Sequence, residues 1–342
     1  MKIKEKDFGN DYKLITIENE AGTKLDVSDF GARIVNWNIP IGNETRNIVL
    51  GFDSAVEYLE NDPYIGASIG RIAGRIEKGK FKIGNKNFQI PVDATNGHSL
   101  HNSPKGFELK KWNYKISIDD NEASVIFSST SPNNENGFPG NLKIEVVYTL
   151  TEDNVWQLKT TGSTDQDTLF NPTNHVYFNL SGDVTQSIDE HTFWLNSNYF
   201  APVRTDVIPL GIKKDVTGTP FDFRRSKKLS EVFNSDFEQK NLFDGMDHPF
   251  FLDDTKAPIA ILCSEDEKIR LTISTDASSV VLYTANFGEH GPRMHGKKLV
   301  HHGGITFETQ TAPGAEQFSE FGSILLQKNK RIETITEFRI DI

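Results

Sequence analysis

The segment HHGGITFETQ, residues 301–310, places a carboxylate where it could do acid–base chemistry. Successive side chains of a β-strand point to opposite faces. Ile305 and Phe307 therefore share an apolar face, and Glu308 lies on the other one. A glutamate with an ordinary pKa of about 4.3 is ionised at neutral pH and can act as a base. Glu308 faces either water or a substrate.

The segment FNPTNHVYFNL, residues 170–180, has the same two-faced pattern. His175, Tyr177 and Asn179 lie on one face, and the opposite face, which includes Val176, is apolar. Solvent-facing strands favour Lys, Glu and Thr, whereas a mixture of His, Tyr and Asn suits a groove that hydrogen-bonds hydroxyl groups. A structural histidine remains the alternative for His175 taken alone.

Two further polar residues lie in turn-like segments. The run SIGRIAGRIEKG (68–79) is too glycine-rich for a stable helix, and its Arg75 offers five donors in a fixed fork, which suits a pair of sugar hydroxyls. A surface arginine paired with an acid fits Arg75 equally well. In DGMDHPFFL (244–252), Asp247 either contacts a ligand or closes a turn.

A histidine pair in GHSLHN, residues 97–102, raises the question of a metal site. His98 and His101 are three residues apart, but no other pair of histidines has a metal-binding spacing. The sequence therefore predicts no metal.

Charge and composition exclude several classes of partner. The net charge is −11, and no basic cluster marks a nucleic-acid or anionic-membrane surface. Cys263 is the only cysteine, which excludes an intrachain disulfide and fits a reducing compartment. No apolar segment reaches the ~18 residues of a membrane span, and the N-terminal residues lack a secretory signal. We expect a cytoplasmic protein, and its oligomeric state cannot be read from the sequence.

Short alternating segments separated by Gly, Asn, Asp and Pro dominate the chain. They predict an all-β protein, built as a sandwich or barrel of many strands. Short helices are expected near 54–61 and 226–234. No linker or low-complexity segment divides the sequence, so we expect a single domain over residues 1–342.

Taken together, these motifs resemble the aldose 1-epimerase (galactose mutarotase) family over essentially the whole chain. The matching segments are AGRI (73–76), NPTNHVYFNL (171–180), DHPF (247–250), YTANF (283–287) and HHGGITFE (301–308). The resemblance implies a large antiparallel β-sandwich with a sugar groove across one sheet. It also implies interconversion of the α and β anomers of an aldohexose such as galactose or glucose, without a cofactor or metal.

The resemblance also assigns roles to individual residues. Glu308 matches the family's catalytic base, and His175 matches its catalytic acid. The positions that match sugar-contacting or wall residues are Arg75, His101, Asp247 and Tyr283.

Two positions depart from the family pattern. Asn102 and Ser103 stand where a Gly-Gly pair is common, so the loop that carries His101 is expected to follow a different path. Gly74 stands where many members have Asn, which removes one hydroxyl contact. Both changes bear on substrate preference.

Three alternatives stay open at the level of sequence. A glycoside hydrolase would use Asp247 and Glu308 as a carboxylate pair. A non-catalytic sugar-binding protein would keep the groove without the chemistry. A phosphosugar epimerase would bind a phosphate with Arg71 and Arg75.

Overall fold

The alternating segments form strands throughout the structure, a computed structural model that describes residues 1–102, 105–253 and 258–342. The predicted all-β fold is confirmed. The strands of the first half are β1 (Lys2–Gly9), β2 (Tyr12–Glu18), β3 (Lys24–Ser28), β4 (Arg33–Ile41), β5 (Glu44–Asn47), β6 (Ser68–Ile69), β7 (Arg75–Ile76), β8 (Lys80–Ile83), β9 (Lys86–Gln89), β10 (Ser99–Leu100), β11 (Asn113–Ile118), β12 (Glu122–Ser131), β13 (Leu142–Thr151), β14 (Val155–Thr164), β15 (Thr168–Leu169) and β16 (Thr173–Asn174). Those of the second half are β17 (Tyr177–Phe178), β18 (Thr192–Leu195), β19 (Tyr199–Phe200), β20 (Lys214–Asp215), β21 (Lys227–Lys228), β22 (Asp247–Phe251), β23 (Ala260–Cys263), β24 (Arg270–Thr275), β25 (Ser279–Tyr283), β26 (Arg293–Met294), β27 (Lys297–Lys298), β28 (Ile305–Thr306), β29 (Glu308–Gln310), β30 (Leu325–Leu326) and β31 (Arg331–Asp341).

The largest sheet has nine strands in the order β11-β12-β13-β14-β31-β24-β23-β18-β21, and its neighbours pair antiparallel. A five-stranded sheet joins β1 to β5 in chain order. A second five-stranded sheet, here called the site sheet, has the order β20-β19-β22-β25-β29. Short two-stranded ladders complete the fold, including β7 with β10, β16 with β6 and β17 with β28.

The main core lies between the nine-stranded sheet and the two five-stranded sheets. On the large sheet, the Trp156 ring stacks between Tyr148 and Phe338, with centroid distances of 5.8 and 4.4 Å. Phe250 and Phe307 project from the site sheet into the same apolar cluster. One face of the site sheet is therefore used for packing, and its other face is left for polar side chains.

Among the described residues, short helices connect the strands at three places: α1 (Ala55–Glu60), α2 (Ser230–Phe233) and α3 (Glu238–Asn241). The helix predicted at 54–61 is confirmed, and the Ser54 hydroxyl caps it by accepting from the Glu57 amide at 3.3 Å. The helix predicted at 226–234 is only partly right, because Lys227–Lys228 form β21. The sequence pattern did not predict helix α3. Single 3₁₀ turns cover Glu77–Gly79, Phe107–Leu109, Glu135–Gly137, Gly288–His290 and Ser319–Phe321.

No helix in the described part of the chain combines the length and the apolar character needed to cross a membrane.

Replacing Phe307 should strongly destabilise the fold. Its side chain is 1% exposed, and its ring lies 5.9 Å from Phe178 and 5.7 Å from Phe193 between centroids. Phe307→Ala should lower the free energy of unfolding by ~3–5 kcal/mol, as measured by urea denaturation. Leu325→Ala, at a side chain that is 38% exposed, is the control and should cost less than ~1 kcal/mol. Equal losses in the two variants would contradict the packing described for Phe307.

Candidate active site

A cleft of about 230 Å³ opens on the polar face of the site sheet. Pockets for drug-sized ligands typically enclose ~300–1,000 Å³, so this cleft suits one small molecule. All six residues singled out from the sequence line it: Arg75, His101, His175, Asp247, Tyr283 and Glu308.

The segment 305–310, which comprises β28 and β29 with a break at Phe307, divides its side chains as the alternation predicts. Ile305 and Phe307 are buried in the main core, and Glu308 and Gln310 line the cleft. Glu308 lies opposite Val281 of β25 in the strand register, which fixes its place on the sheet.

His175 reaches the cleft from a segment that is not one continuous strand. The ladder breaks at residues 175–176, between β16 and β17. His175 and Tyr177 still line the cleft, and Val176 still lies in the core. Asn179, which the sequence placed beside them, instead donates to the carbonyls of Gln186 and Gly303 at 2.9 Å each. Its role is to hold loops together.

The acid–base candidates touch each other. His175 Nε2 lies 3.5 Å from Glu308 Oε1, and the two side chains are only 8% and 5% exposed. No hydrogen-bond partner for His175 Nδ1 occurs among the residues that the structure describes. The pair is therefore poorly solvated, and the position of its proton depends on the surrounding charges.

Burial shifts the pKa values of both groups toward their neutral forms. It raises the pKa of Glu308 to about 8; the Asp247 carboxylate adds to this rise, and Arg75 opposes it. Burial lowers the pKa of His175, and the negative charges of Asp62 and Asp247 oppose that change. Near neutral pH the pair therefore holds one proton, which the raised pKa of Glu308 and the lowered pKa of His175 assign to Glu308.

His101 is fixed as a hydrogen-bond donor toward the cleft. Its Nδ1 accepts from the Gly74 amide at 3.2 Å, so the neutral ring carries its hydrogen on Nε2. The Tyr64 ring packs against it with a centroid distance of 5.0 Å. Burial holds the pKa of His101 well below its usual value, and the charges of His175 and Arg75 add to this shift.

Arg75 and Asp247 form an ion pair across the cleft, with Arg75 Nη1 3.9 Å from Asp247 Oδ2. Each comes from a paired strand, because Arg75 lies opposite Leu100 and Asp247 lies opposite Tyr283. Burial raises the pKa of Asp247, and Arg75 opposes the rise. At 3.9 Å the two groups leave room for a ligand hydroxyl to bridge them.

Two lining residues with polar side chains were not predicted from the sequence. Asp62 and Tyr64 belong to the segment NDPY (61–64) and reach the cleft beside His175. The Tyr64 and His175 rings stack with a centroid distance of 6.2 Å. A carboxylate and an aromatic residue a few positions before SIGRIAGRI were the available signal.

Arg71 is a structural residue, which removes the phosphate site suggested for it. It is 2% exposed and does not line the cleft. Its guanidinium donates to the Ser131 hydroxyl and to the carbonyls of Pro139 and Gly140 at 2.8–2.9 Å. Arg71 therefore supports the loop around residues 131–140, and only Arg75 of this pair faces the cleft.

Local contacts explain two positions near His101 that depart from the family pattern, Gly74 and Asn102. Gly74 has φ +79°, and a Cβ there would lie 2.7 Å from Pro313 Cγ, so a side chain would clash. Asn102 adopts φ +63°, and its side chain accepts from the Ile72 amide at 2.8 Å. Asn102 thus takes the left-handed conformation expected of glycine, and His101 keeps its place in the cleft. Ser103 lies outside the described residues.

Gly303 and Gly304 do not line the cleft. A Cβ on Gly303 would lie 2.5 Å from Leu299 Cδ1, and one on Gly304 would lie 2.9 Å from Leu50 Cδ1. These glycines allow close apolar packing behind the site.

Comparison with known proteins identifies the family. A family model described as aldose 1-epimerase matches residues 13–339. The chain belongs to the aldose 1-epimerase family. It is 33% identical over 316 residues to an aldose 1-epimerase of Haemophilus influenzae, covering 92% of this chain and 90% of the relative. It is 33% identical over 324 residues to a galactose mutarotase of Bos taurus, covering 93% and 91%.

The fold agrees with this assignment. The structure of a galactose 1-epimerase from Lactobacillus acidophilus superposes with a TM-score of 0.90 at 30% identity, covering 100% of this chain and 99% of that one. The predicted mutarotase-like antiparallel sandwich is therefore confirmed. Enzymes of the aldose 1-epimerase family are isomerases that act on sugars.

One cluster in this family member has the spacing of a metal site. Ligand atoms of His101, His175 and Glu308 lie within 4.8 Å of one another. However, the Gly74 amide occupies His101 Nδ1, so Nε2 would have to lose its hydrogen before it could bind a metal. The arrangement favours donation to a sugar oxygen. His98, the other histidine considered, has Nδ1 accepting from the Lys78 amide and Nε2 3.1 Å from Asp206.

The His101 tautomer can be observed directly. We expect ¹⁵N-detected NMR at pH 6.5 to show a neutral ring with its hydrogen on Nε2, because burial and the Gly74 amide both favour that form. A free imidazole is about half charged at that pH. The urea-unfolded protein serves as the control and should show that ordinary titration. A charged ring, or a hydrogen on Nδ1, would contradict the assignment.

Proposed function

We propose that this protein is an aldose 1-epimerase that interconverts the α and β anomers of an aldohexose such as galactose or glucose. The observation that carries the proposal is the buried contact of 3.5 Å between His175 and Glu308 in a cleft of single-sugar size. Glu308 acts as the base and His175 as the acid.

Ring opening needs two proton transfers at neighbouring oxygens. The Glu308 carboxylate takes the proton of the C1 hydroxyl while the bond between C1 and the ring oxygen breaks. The electron pair of that bond goes to the ring oxygen, which takes a proton from His175. The aldehyde rotates about C1–C2, and the reverse transfers close the ring on its other face. Electrons and protons balance within the sugar and this pair.

The buried pair suits a reaction that alternates between two protonation forms. The opening step starts from ionised Glu308 and charged His175, and it ends with both groups neutral. Burial favours the neutral form of both groups, whereas Arg75 favours ionised Glu308 and Asp62 favours charged His175. Asp247 favours charged His175 and disfavours ionised Glu308. These opposing effects keep both forms close in free energy, so the same two groups can open and close the ring.

The remaining lining groups position the sugar. In our proposal, the Arg75–Asp247 pair binds ring hydroxyls with one donor group and one acceptor group. His101 Nε2 donates to an oxygen near C1, as its tautomer supports. Tyr283 forms one wall of the cleft.

The alternatives considered from the sequence have less support. In the hydrolase alternative Asp247 would act as the second carboxylate, but its neighbour is Arg75, which suits binding. A phosphosugar substrate would need a second cation, and Arg71 is engaged elsewhere. We further propose a single domain over residues 1–342, which the family match to residues 13–339 supports. The lone Cys263 supports a cytoplasmic location.

Polarimetry of freshly dissolved α-D-galactose and α-D-glucose tests the proposal. Wild-type enzyme should accelerate the change in optical rotation. Glu308→Gln and His175→Asn should each lose ~10²–10⁴-fold in kcat, because each removes one proton-transfer group. Glu333→Gln, at a 43% exposed position on β31, should keep full activity. Intact activity in Glu308→Gln or in His175→Asn would reject the role given to that residue.

The pH dependence should follow the single proton of the pair. As the pH rises through about 8, Glu308 ionises beside neutral His175, and no acid remains for the ring oxygen. As the pH falls below the lowered pKa of His175, both groups are protonated and the base is lost. We therefore expect a bell-shaped profile of kcat/KM, with its upper limb near pH 8. Activity that still rises well above pH 8 would contradict this view.

A further inference from the structure

Asp62 is a carboxylate of the cleft to which the proposed reaction gives no role. It lines the cleft together with Asp247 and Glu308. Asp247 forms an ion pair with Arg75 at 3.9 Å. No ion pair to Asp62 occurs among residues 1–102, 105–253 and 258–342. Asp62 therefore brings a negative charge to the cleft that no contacting cation of the described chain neutralises.

The segment 62–67, here called the Asp62 turn, is fixed against the segment that carries His175. Asp62 Oδ1 accepts from the Tyr64 amide at 2.9 Å. The Gly66 amide donates to the His175 carbonyl at 2.9 Å, and the His175 amide donates to a carbonyl of the same turn at 2.9 Å. The Tyr64 ring also stacks on the His175 ring. These contacts hold the Asp62 carboxylate in a fixed position relative to His175.

Ring opening starts from a form of the catalytic pair that burial disfavours. Burial places the single proton on Glu308, whereas the opening step needs it on His175. A negative charge near His175 therefore raises the population of the reactive form. Among the charges that act on His175 in this direction, Asp62 has the largest effect, ahead of Asp247.

Asp62 favours the acid without opposing the base. Asp247 favours charged His175, but it also disfavours ionised Glu308. Asp62 is not among the groups that shift the pKa of Glu308. This difference fits the architecture, because the Asp62 turn packs on the His175 segment and Glu308 lies on β29 of the site sheet.

The other titratable or charged groups around His175 do not supply this effect. They are His101, Arg75, Tyr177 and Tyr283 in the cleft and Arg33 behind the turn, where it donates to the Ile65 carbonyl at 3.3 Å. Burial raises the pKa of both phenols and lowers that of His101, so these three groups are neutral near pH 7. The two arginines are positive and favour neutral His175.

We propose that Asp62 is a positioning residue that acts through His175: its negative charge at the cleft favours the protonated, proton-donating form of the acid. This inference rests on the proposed epimerase function. The Tyr64 ring has the opposite effect, because it covers His175 and contributes to the burial that favours the neutral ring. The balance between these two neighbours sets the fraction of enzyme that is ready to open a sugar ring.

Asp62→Asn tests the role of the charge, since the amide oxygen can still accept from the Tyr64 amide. Charged His175 occurs in the reactive form and in the doubly protonated form, so the substitution disfavours both equally. We expect the plateau of kcat/KM for α-D-galactose to fall about threefold to tenfold and the lower limb to move to lower pH. A tenfold fall corresponds to a limb about one pH unit lower, so the two profiles should meet on the acid side. KM should be unchanged, because sugar binding does not depend on this charge.

Two further variants separate charge from burial. Glu60→Gln removes a negative charge two residues earlier, at an exposed position at the end of α1 and outside the cleft, so its profile should match the wild type. Tyr64→Ala uncovers His175 and should move the lower limb to higher pH, opposite to Asp62→Asn. Rates are measured by polarimetry across the acid and neutral range, and circular dichroism at each pH confirms that each variant is folded.

The outcomes distinguish this inference from the function on which it rests. An Asp62→Asn profile with the wild-type plateau or the wild-type lower limb would overturn the role of Asp62 and leave the epimerase function intact. A raised KM at unchanged kcat would also overturn it, because Asp62 would then bind the sugar directly. The same holds if Glu60→Gln shifts the limb equally, or if Tyr64→Ala shifts it in the same direction as Asp62→Asn. A wild-type protein inactive on both galactose and glucose would overturn the proposed function itself.

Discussion

The contact between His175 and Glu308 is the interaction on which the rest of the site depends. In water, a carboxylate and an imidazole would ionise independently, with pKa values about two units apart. In the cleft they are 3.5 Å apart and almost fully buried, so they share one proton. The fold must therefore exclude water from the pair while leaving room for a sugar beside it.

The sandwich architecture meets both requirements. Phe307 and Val176 bury the apolar sides of the two catalytic segments against the nine-stranded sheet. Glu308 and His175 then emerge on the opposite side, beneath Tyr64 and next to Tyr177. Arg75 favours the ionised form of Glu308 and Asp62 favours the charged form of His175, which offsets part of the cost of forming the ionised state inside the protein.

Much of this arrangement was predictable from local patterns, because strand alternation decides which side chains share a face. It placed Phe307 in the core and Glu308 on the opposite face, and the resemblance to a family singled out six of the residues that line the cleft. Contacts between distant segments were not predictable. Asn179 has the right alternation for the cleft, yet three carbonyls from other loops bind its amide.

Arg71 and Arg75 also show that contacts between distant segments cannot be predicted from local sequence patterns. Both lie in one glycine-rich segment, and only the position of the 131–140 loop decides that Arg71 is structural. Asp62 and Tyr64 were missed because their segment reaches the cleft only after folding.

Infrared difference spectroscopy of the sugar-free enzyme tests the shared proton most directly. The carbonyl stretch of a protonated carboxylic acid is distinct from that of a carboxylate, and subtracting the spectrum of Glu308→Gln isolates the contribution of Glu308. The account predicts a protonated carboxylic acid at pH 7 that disappears as the pH rises through about 8. A Glu308 that is already fully ionised at pH 6 would contradict the claim that burial makes this pair hold a single proton.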